Sequence, residues 1–332
     1  MQSKKEEYKT FFPEGSTDIS DNDVAVVSPK KKRNSLKIQE TVFIVVLMII
    51  PLLHVAIFFF YKNMSAILLA FQDARTGDWT LDNFPKFWEQ LTTPVGNNIG
   101  IAFQNTMIYF GNKIFLVMPL SLIMSFFLYK KVLGYKVFRN VFYLPAIISS
   151  LVMVTAYTQF INPKGPLDQI LTLFGQSLPP EGLLGREETA TTAIAIFVIW
   201  TSFTTDILLF SGAMSRVPFE IIEAAKLDGC GPAREILSII FPLIWPTYST
   251  QFIFAFTGLL SSTGPILLFT NGKYGTTTIS FWMFNEVYGD GTVGGTGSYS
   301  MISCAGLCFS AIVVPLTLFI RWLVEKIDVA EY

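Results

Sequence analysis

Long apolar stretches separated by short polar segments run through most of the chain. A helix needs about 20 apolar residues to cross a hydrocarbon core about 30 Å thick. The pattern predicts an all-α, polytopic membrane helix bundle with six transmembrane helices, at about residues 41–61, 106–129, 139–161, 192–213, 237–260 and 300–324. Prolines within these spans predict kinks, at Pro51, Pro119, Pro145, Pro242, Pro246 and Pro315.

Composition supports a membrane protein. Of the 332 residues, 51% are hydrophobic and only 15% are charged, against about 25% charged residues in an average soluble domain. Three cysteines and one histidine provide neither a disulfide framework nor a histidine metal site, so we expect no bound metal. The basic cluster at Lys30–Arg33 could contact nucleic acid. Its position just before the first span instead favours a juxtamembrane charge cluster that retains the tail in the cytoplasm, so we expect no nucleic-acid partner.

The distribution of lysine and arginine predicts the orientation. With a cytoplasmic N-terminus, 17 of the 24 basic residues fall on the inner side, so the positive-inside rule favours an N-in, C-in topology. The pattern divides the chain into a disordered cytoplasmic tail (1–39), a first transmembrane helix with an extracytoplasmic loop (40–105) and a core with five transmembrane helices (106–325). Within that core, a cytoplasmic loop at 217–235 separates the fourth and fifth spans.

This loop has the features of a short, capped helix. Pro218 suits the first turn of a helix, Glu220 and Glu223 interact favourably with the helix dipole, and Gly229 can adopt the left-handed conformation that ends a helix. A second helix is expected to begin near Pro232 and to continue into the fifth span. Since no such helix is needed to cross a bilayer, the segment is interpreted as a docking surface for a soluble partner.

The same residues resemble a known motif. Glu223-Ala224-Ala225, then Gly229, then nine residues followed by Ile239-Ile240-Phe241-Pro242 is similar to the EAA loop of binding-protein-dependent ABC importer permeases. Phe241 replaces the usual leucine and Cys230 the usual alanine. Further segments resemble landmarks of the sugar-importer, maltose-transporter-like branch: Ala70-Phe71-Gln72, Asp82-Asn83-Phe84, Asn105-Thr106, Phe138-Arg139, Leu144-Pro145, Asn162-Pro163 and Trp200.

The resemblance implies a type I ABC importer permease fold in a bacterial cell membrane. It implies three kinds of protein partner: a second permease, a dimer of an ABC ATPase, and an extracytoplasmic binding protein that delivers a sugar. The chain itself would carry no catalytic residue and no cofactor, because ATP and Mg²⁺ bind the ATPase. The resemblance also implies that the EAA segment contacts the ATPase, through Glu223, Ala224, Ala225, Asp228 and Gly229. Glycerol-phosphate importers share this branch, so that class of cargo, or another small polar solute, is the alternative.

Polar residues inside the spans are candidates for the substrate path. A charged residue in hydrocarbon costs on the order of 3 kcal/mol on insertion scales and should face a cavity or a partner. Asp206 is such a residue, and it either lines the path or pairs with the second permease or with Lys113. The other candidates are Thr205, Gln159, Tyr248 and Gln251, whose side chains could equally hold helices together.

Two other functional classes fit less well. A secondary transporter needs relay acids or broken helices in repeated positions, and the sequence offers a single mid-span acid and no clear repeat. An intramembrane enzyme would need a catalytic motif such as His-Glu-x-x-His, and none is present. Neither class explains a docking helix at 217–235.

Overall fold

The structure is a computed structural model, and it describes residues 30–73, 76–92, 98–260, 265–288 and 296–327. These residues are almost entirely helical, and the only pairing of extended backbone among them is an isolated bridge between Gln72 and Trp79. The chain forms two compact units, Met1–Asn63 and Met64–Tyr332. The prediction of an all-α fold is confirmed.

The residues of the first unit that the structure describes, 30–63, are helical. Helix α1 covers Lys30–His54, a π-helical segment follows at Val55–Tyr61, and α2 continues over Lys62–Ala70. The predicted disordered tail at 1–39 therefore needs a correction, because residues 30–39 are helical. Lysine, arginine, glutamine and glutamate are good helix formers, so the helix of the first span extends into its polar flank. Residues 1–29 lie outside the described residues.

The second unit contains the remaining helices. Short helices α3, α8, α10, α11, α13 and α14 cover Asn83–Thr92, Pro166–Leu173, Phe219–Leu227, Pro232–Glu235, Ile266–Phe269 and Ile279–Tyr288. Longer or span-forming helices are α4 (Asn98–Asn112), α5 (Met118–Tyr129), α6 (Tyr135–Ile147), α7 (Ser150–Ile161), α9 (Glu187–Met214), α12 (Phe241–Thr257) and α15 (Thr296–Glu325). Of the described residues, five helical segments are long and apolar enough to cross a membrane: Ile38–Ala70, Ile99–Tyr129, Glu187–Met214, Pro232–Leu260 and Tyr299–Glu325.

The third predicted span, 139–161, is bent rather than straight. Helices α6 and α7 meet at an angle of 112° and count as a sixth span only if the pair is taken together. Ile148 and Ser149 between them have extended backbone, with ψ of 141° and 137°. Pro145 has no N–H to donate to the helix, and Ser149 and Ser150 favour helix ends over helix interiors, which accounts for the break.

Proline has a different effect in the second and fifth spans. Between α4 and α5 the helix is π-helical over Lys113–Val117, and between α11 and α12 it is π-helical over Ile236–Ile240. Pro119 and Pro242 each follow two residues after such a segment. A proline ring clashes with the carbonyl four residues earlier, and a wider turn at that place relieves the clash. At Pro119 and Pro242 the expected kinks are therefore π-helical turns within continuous helices.

Helix α9 is the central element of this unit. Its carbonyls at Phe203 and Ile207 accept hydrogen bonds from Ser121 and Ser125 of α5, at 3.5 and 3.1 Å. Both serines are fully buried, and small residues of this kind allow two membrane helices to approach closely. Tyr157 of α7 donates a hydrogen bond to another α9 carbonyl, that of Ala193, at 2.8 Å.

Candidate functional site

The first candidate site is the cytoplasmic hairpin, residues 217–235, formed by α10 and α11. Pro218 precedes α10, and Glu220 lies in its first turn. Gly229 follows the helix with a φ of +79°. The amide of Gly229 donates to the Lys226 carbonyl at 3.0 Å and the amide of Cys230 donates to Ala225 at 2.9 Å. These are the two hydrogen bonds of a Schellman motif, so the predicted left-handed cap is confirmed.

Helix α10 has one buried face and one exposed face. Ile222 is 2% exposed and belongs to a core cluster with residues of α5, α9 and the fifth span. We call this the inner core; its other buried members are Met118, Leu122, Phe126, Phe210, Ala213, Met214, Ile236, Ile240 and Ile244. On the other face, Glu223 and Ala224 are exposed, and Leu227 is 88% exposed. The helix is therefore fixed to three spans while it presents an acidic and apolar face.

An ion pair that the sequence did not predict joins the hairpin to the second span. Lys130, at the C-terminal cap of α5, pairs with Glu235, the last residue of α11. Glu235 is 3% exposed, so the negative charge of its carboxylate is compensated by Lys130. The hairpin is thus held at one end by Ile222 and at the other by Glu235.

The second candidate site is a cavity of about 310 Å³ between α4, the π-helical segment at Lys113–Val117, α9 and α12. It has the size of a small ligand site, and we call it the central cavity. Polar residues on its wall include Tyr109, Lys113, Ser202 and Gln251; the remainder is Thr106, Phe110, Val198, Phe254, Ala255, Gly258 and Leu259. Among the residues described, the hydroxyl of Tyr109 is buried and has no hydrogen-bond partner.

Lys113 and Asp206 form an ion pair beside this cavity. The ammonium of Lys113 lies 2.8 and 2.7 Å from the two carboxylate oxygens of Asp206. The Asp206 side chain is 1% exposed, whereas that of Lys113 is 26% exposed. A lysine within a span can extend its side chain to the headgroups, but here a buried carboxylate on α9 binds Lys113 within the bundle. Of the alternatives for Asp206, pairing with Lys113 is the one observed.

The five candidate residues of the substrate path are not brought together. Gln251 lines the central cavity, and Asp206 lies behind it through Lys113. Thr205 is exposed on a different face of α9, and Gln159 is exposed on α7. Tyr248 stacks on Phe210, with ring centroids 5.5 Å apart, and packs against the inner core. Geometry therefore favours Asp206 and Gln251 as residues of one site.

Two polar residues of the second span have contacts that the sequence did not predict: Tyr109 was not among the candidates, and Asn105 was named only as part of the resemblance to sugar importers. Asn105 donates hydrogen bonds to the carbonyls of Gly275 and Thr277, at 2.6 and 2.9 Å, and so holds the segment between α13 and α14. Asn105, Tyr109 and Lys113 are spaced four residues apart, which places them on one face of a helix. That spacing is visible in the sequence and could have identified this face.

The described structure thus combines an exposed, capped cytoplasmic helix, fixed to a bundle of membrane helices, with a cavity between those helices that carries a few polar groups. The family described as "Binding-protein-dependent transport system inner membrane component" matches residues 106–329. The chain belongs to this family of ABC transporter permeases. It is therefore a multi-pass protein of the cytoplasmic membrane.

Relatives with known names are similar over different parts of the chain. The multiple sugar-binding transport system permease protein MsmF of Streptococcus mutans is 26% identical over 55% of this chain and 63% of its own length. The arabinooligosaccharides transport system permease protein AraP of Bacillus subtilis is 24% identical over 57% of this chain and 60% of its own. The chain thus spans less than two thirds of these two relatives. The sn-glycerol-3-phosphate transport system permease protein UgpA of Brucella abortus is 25% identical over 81% of this chain and 90% of its own.

The fold has a counterpart among solved structures. A chain from a bacterial ABC transporter involved in the import of the acidic polysaccharide alginate superimposes with a TM-score of 0.73. The match covers 89% of this chain and 99% of the other, at 20% identity. The prediction of an ABC importer permease fold is confirmed.

Proposed function

We propose that this chain is one of two permease subunits of an ATP-driven importer that takes up a carbohydrate. The observation that carries the proposal is the cytoplasmic hairpin: its helix exposes Glu223 and Leu227 and is fixed to three spans through Ile222. A soluble protein that binds this face and moves would displace those spans with it. Family membership and the relatives named for sugar transport support the same function.

In this proposal the exposed face of α10 binds the ATPase, through Glu223, Ala224, Ala225, Asp228 and Gly229. The first four would contribute contact surface, and Gly229 would set the direction in which the chain leaves the helix. ATP and Mg²⁺ would bind the ATPase, and this chain would catalyse no bond chemistry. The second permease would complete the path, and an extracytoplasmic binding protein would supply the sugar from the outer side.

The orientation follows from charge. The N-in, C-in topology places the hairpin in the cytoplasm, where an ATPase has access to it, and places the segment between α13 and α14 outside. Lys130, Lys226 and Arg234 then lie on the inner side, as the positive-inside rule favours. The binding protein would approach the opposite, outer end of the bundle.

Purification of the tagged chain in mild detergent tests the proposal. We expect an ABC ATPase, a second permease and a binding protein to co-purify, and the ATPase to be lost from a Glu223→Lys variant. Glu181→Lys is the matched control, because it reverses an exposed carboxylate in the segment before α9 and should keep the ATPase. A chain that purifies alone in all three cases, under conditions that preserve a known ABC importer, contradicts the proposal.

Similarity to UgpA supports a second candidate cargo, a glycerol-phosphate-type anion. Uptake by whole cells with labelled neutral oligosaccharides and labelled glycerol 3-phosphate separates the two. We expect uptake of a neutral sugar, and its loss when the gene of this chain is deleted. Uptake of glycerol 3-phosphate alone would assign the chain to the second class.

A further inference from the structure

The central cavity has one charged group on its wall. Among the described residues that line it, only Lys113 carries a formal charge. Its ammonium contacts both oxygens of a carboxylate that is itself almost fully buried, at 2.7 and 2.8 Å. The two charges therefore cancel where a solute would enter, and the wall of the cavity carries polar groups on a largely apolar surface without a net positive charge.

The ion pair still leaves a donor for a solute. A lysine ammonium has three N–H donors, and the carboxylate of Asp206 takes two of them. With about a quarter of its side chain exposed, Lys113 can direct the third donor into the cavity. A hydroxyl group satisfies that donor without bringing a charge.

The other polar groups on the wall are also suited to hydroxyls. Tyr109 is 8% exposed, and its hydroxyl has no partner among the residues that the structure describes. Buried polar groups are almost always hydrogen-bonded, so this hydroxyl calls for a partner that enters the cavity. Ser202 and Gln251 add donors and acceptors, and Phe110 and Phe254 supply apolar surface for the carbon face of a sugar ring.

An anionic solute would bind poorly in these surroundings. Moving a charge from water into a site of low dielectric is costly unless an opposite charge compensates it. Lys113, the one cation among the described residues of the wall, is already paired with Asp206, so an entering anion would have to compete with that carboxylate.

We propose that the central cavity selects uncharged, polyhydroxylated solutes over anionic ones, and that Asp206 determines this selectivity by cancelling the charge of Lys113. The inference deepens the proposed function and rests on it in one respect: the solute in the cavity is taken to be the imported sugar. The charge of the cavity wall, however, can be measured on the purified chain without an ATPase, a binding protein or transport.

The experiment places a thiol on the cavity wall and measures how charge affects its modification. Ser202→Cys is made in a background where Cys230, Cys304 and Cys308 are replaced by alanine, and the protein is purified in detergent so that reagents reach it from both sides. Rates are measured with anionic sulfonatoethyl, cationic trimethylammonioethyl and neutral methyl methanethiosulfonate. Thr172→Cys, on the exposed surface of α8, serves as the reference thiol.

The ratio of anionic to cationic rates reports the local potential. In the parent background we expect this ratio to lie within about threefold of the reference thiol. A full charge about 10 Å away, at an effective dielectric constant of about 20, changes such a ratio by roughly tenfold or more. Asp206→Asn should therefore raise the ratio at least tenfold, and the double variant Lys113→Met/Asp206→Asn should bring it back to the parent value.

Three results would overturn the inference. A parent ratio that already favours the anionic reagent tenfold would mean that Asp206 does not cancel the lysine. A ratio that Asp206→Asn leaves unchanged would mean that Lys113 does not act on the cavity. No modification by any reagent, in protein that remains monodisperse on gel filtration, would mean that the cavity is closed to solutes.

Protection of the same thiol identifies the class of solute. Methyl glucoside should slow the reaction with the neutral reagent in the parent protein, whereas glucuronate should not. In Asp206→Asn the order should reverse, because the lysine is then free to bind a carboxylate. Protection of the parent by glucuronate, or by neither compound, would overturn the proposed selectivity. A failure of the proposed function would instead appear as missing partners in the purification, with these rates unaffected.

Discussion

Lys130 and Glu235 lie 105 positions apart in the sequence and form an ion pair where α5 ends and the fifth span begins. Glu235 is almost fully buried, whereas about a quarter of the lysine side chain is exposed. Breaking a buried pair by removing one partner typically costs about 3–5 kcal/mol, because the other charge remains buried without compensation. Because the two side chains are buried to different extents, the two single substitutions should reduce stability by different amounts.

We expect Lys130→Met to destabilise the protein more than Glu235→Gln. The first change leaves a buried carboxylate unpaired, whereas the second leaves an ammonium that can turn towards water. The double variant Lys130→Met/Glu235→Gln should recover part of the loss. Thermal unfolding of the purified chain in detergent measures all three. Arg321→Met is the control, because its ion pair with Glu325 is 59% exposed on both sides and should contribute about 0.3–0.5 kcal/mol.

Gly229 provides a test of the hairpin that separates backbone conformation from packing. A Cβ atom at this position would meet no atom within 4 Å, so the positive φ of +79° is the only obstacle to a side chain. Gly229→Val should lower ATPase binding and uptake while the protein remains in the membrane. The left-handed backbone conformation costs residues other than glycine roughly 1–2 kcal/mol. Gly229→Asn should be milder, because asparagine tolerates this region.

Gly231 is the control for that series. It also has open space around it, but its φ of −75° suits any residue, so Gly231→Val should leave ATPase binding close to the wild-type level. Co-purification of the ATPase and uptake in cells are the two readouts. Equal losses from the two valine variants would contradict the role assigned to the cap, and failure of Gly229→Val to reach the membrane would point to folding instead of coupling.

The two faces of α10 should respond differently to truncation. Ile222→Ala removes a fully buried side chain from the inner core and should destabilise the chain by about 2–5 kcal/mol. Leu227→Ala removes a side chain that is 88% exposed and should leave the unfolding temperature of the chain unchanged while it weakens binding of the ATPase. Thermal unfolding and co-purification of the ATPase are measured on each variant. If the two variants changed the same property, this division between the faces would be contradicted.

Asn105 should stabilise the segment between α13 and α14. Its amide group donates to two carbonyls of that segment, and each hydrogen bond contributes about 0.5–1.5 kcal/mol. Asn105→Ala should therefore increase hydrogen exchange over residues 270–278 by about tenfold or more. Asn63→Ala removes only an exposed bond within one helix, at 2.7 Å, and should leave exchange over 270–278 unchanged. Equal exchange in the two variants would show that Asn105 does not hold the segment.

Much of the fold could be predicted because apolar length and proline placement act locally. The EAA segment, with Pro218 before its helix and Gly229 after it, predicted a helix and a cap that the structure contains. Pro145 predicted a kink in the third span, but the full break at Ile148 and Ser149 was not predicted, because the apolar run continues through it and hydropathy does not respond to two adjacent serines.

The candidate site was harder to predict, because it depends on pairs that are distant in sequence. Asp206 could be recognised as unusual within its own span, but the choice between Lys113 and another partner depends on how α9 packs against the second span. The same limit applies to Lys130 and Glu235, which resemble ordinary charges at the ends of helices. Only the packing of the helices shows that Glu235 is buried.

Helix α9 has a consequence for how the two sites communicate. It is continuous over 28 residues, and it carries Ser202 and Asp206 at the cavity and Phe210 and Met214 in the inner core against Ile222. From Ser202 to Met214 the helix rises about 18 Å at 1.5 Å per residue, with no break at which a displacement could be absorbed. One unbroken helix therefore connects the inner core under α10 to the cavity wall, so that a displacement of α10 that moves the inner core also moves Ser202 and Asp206.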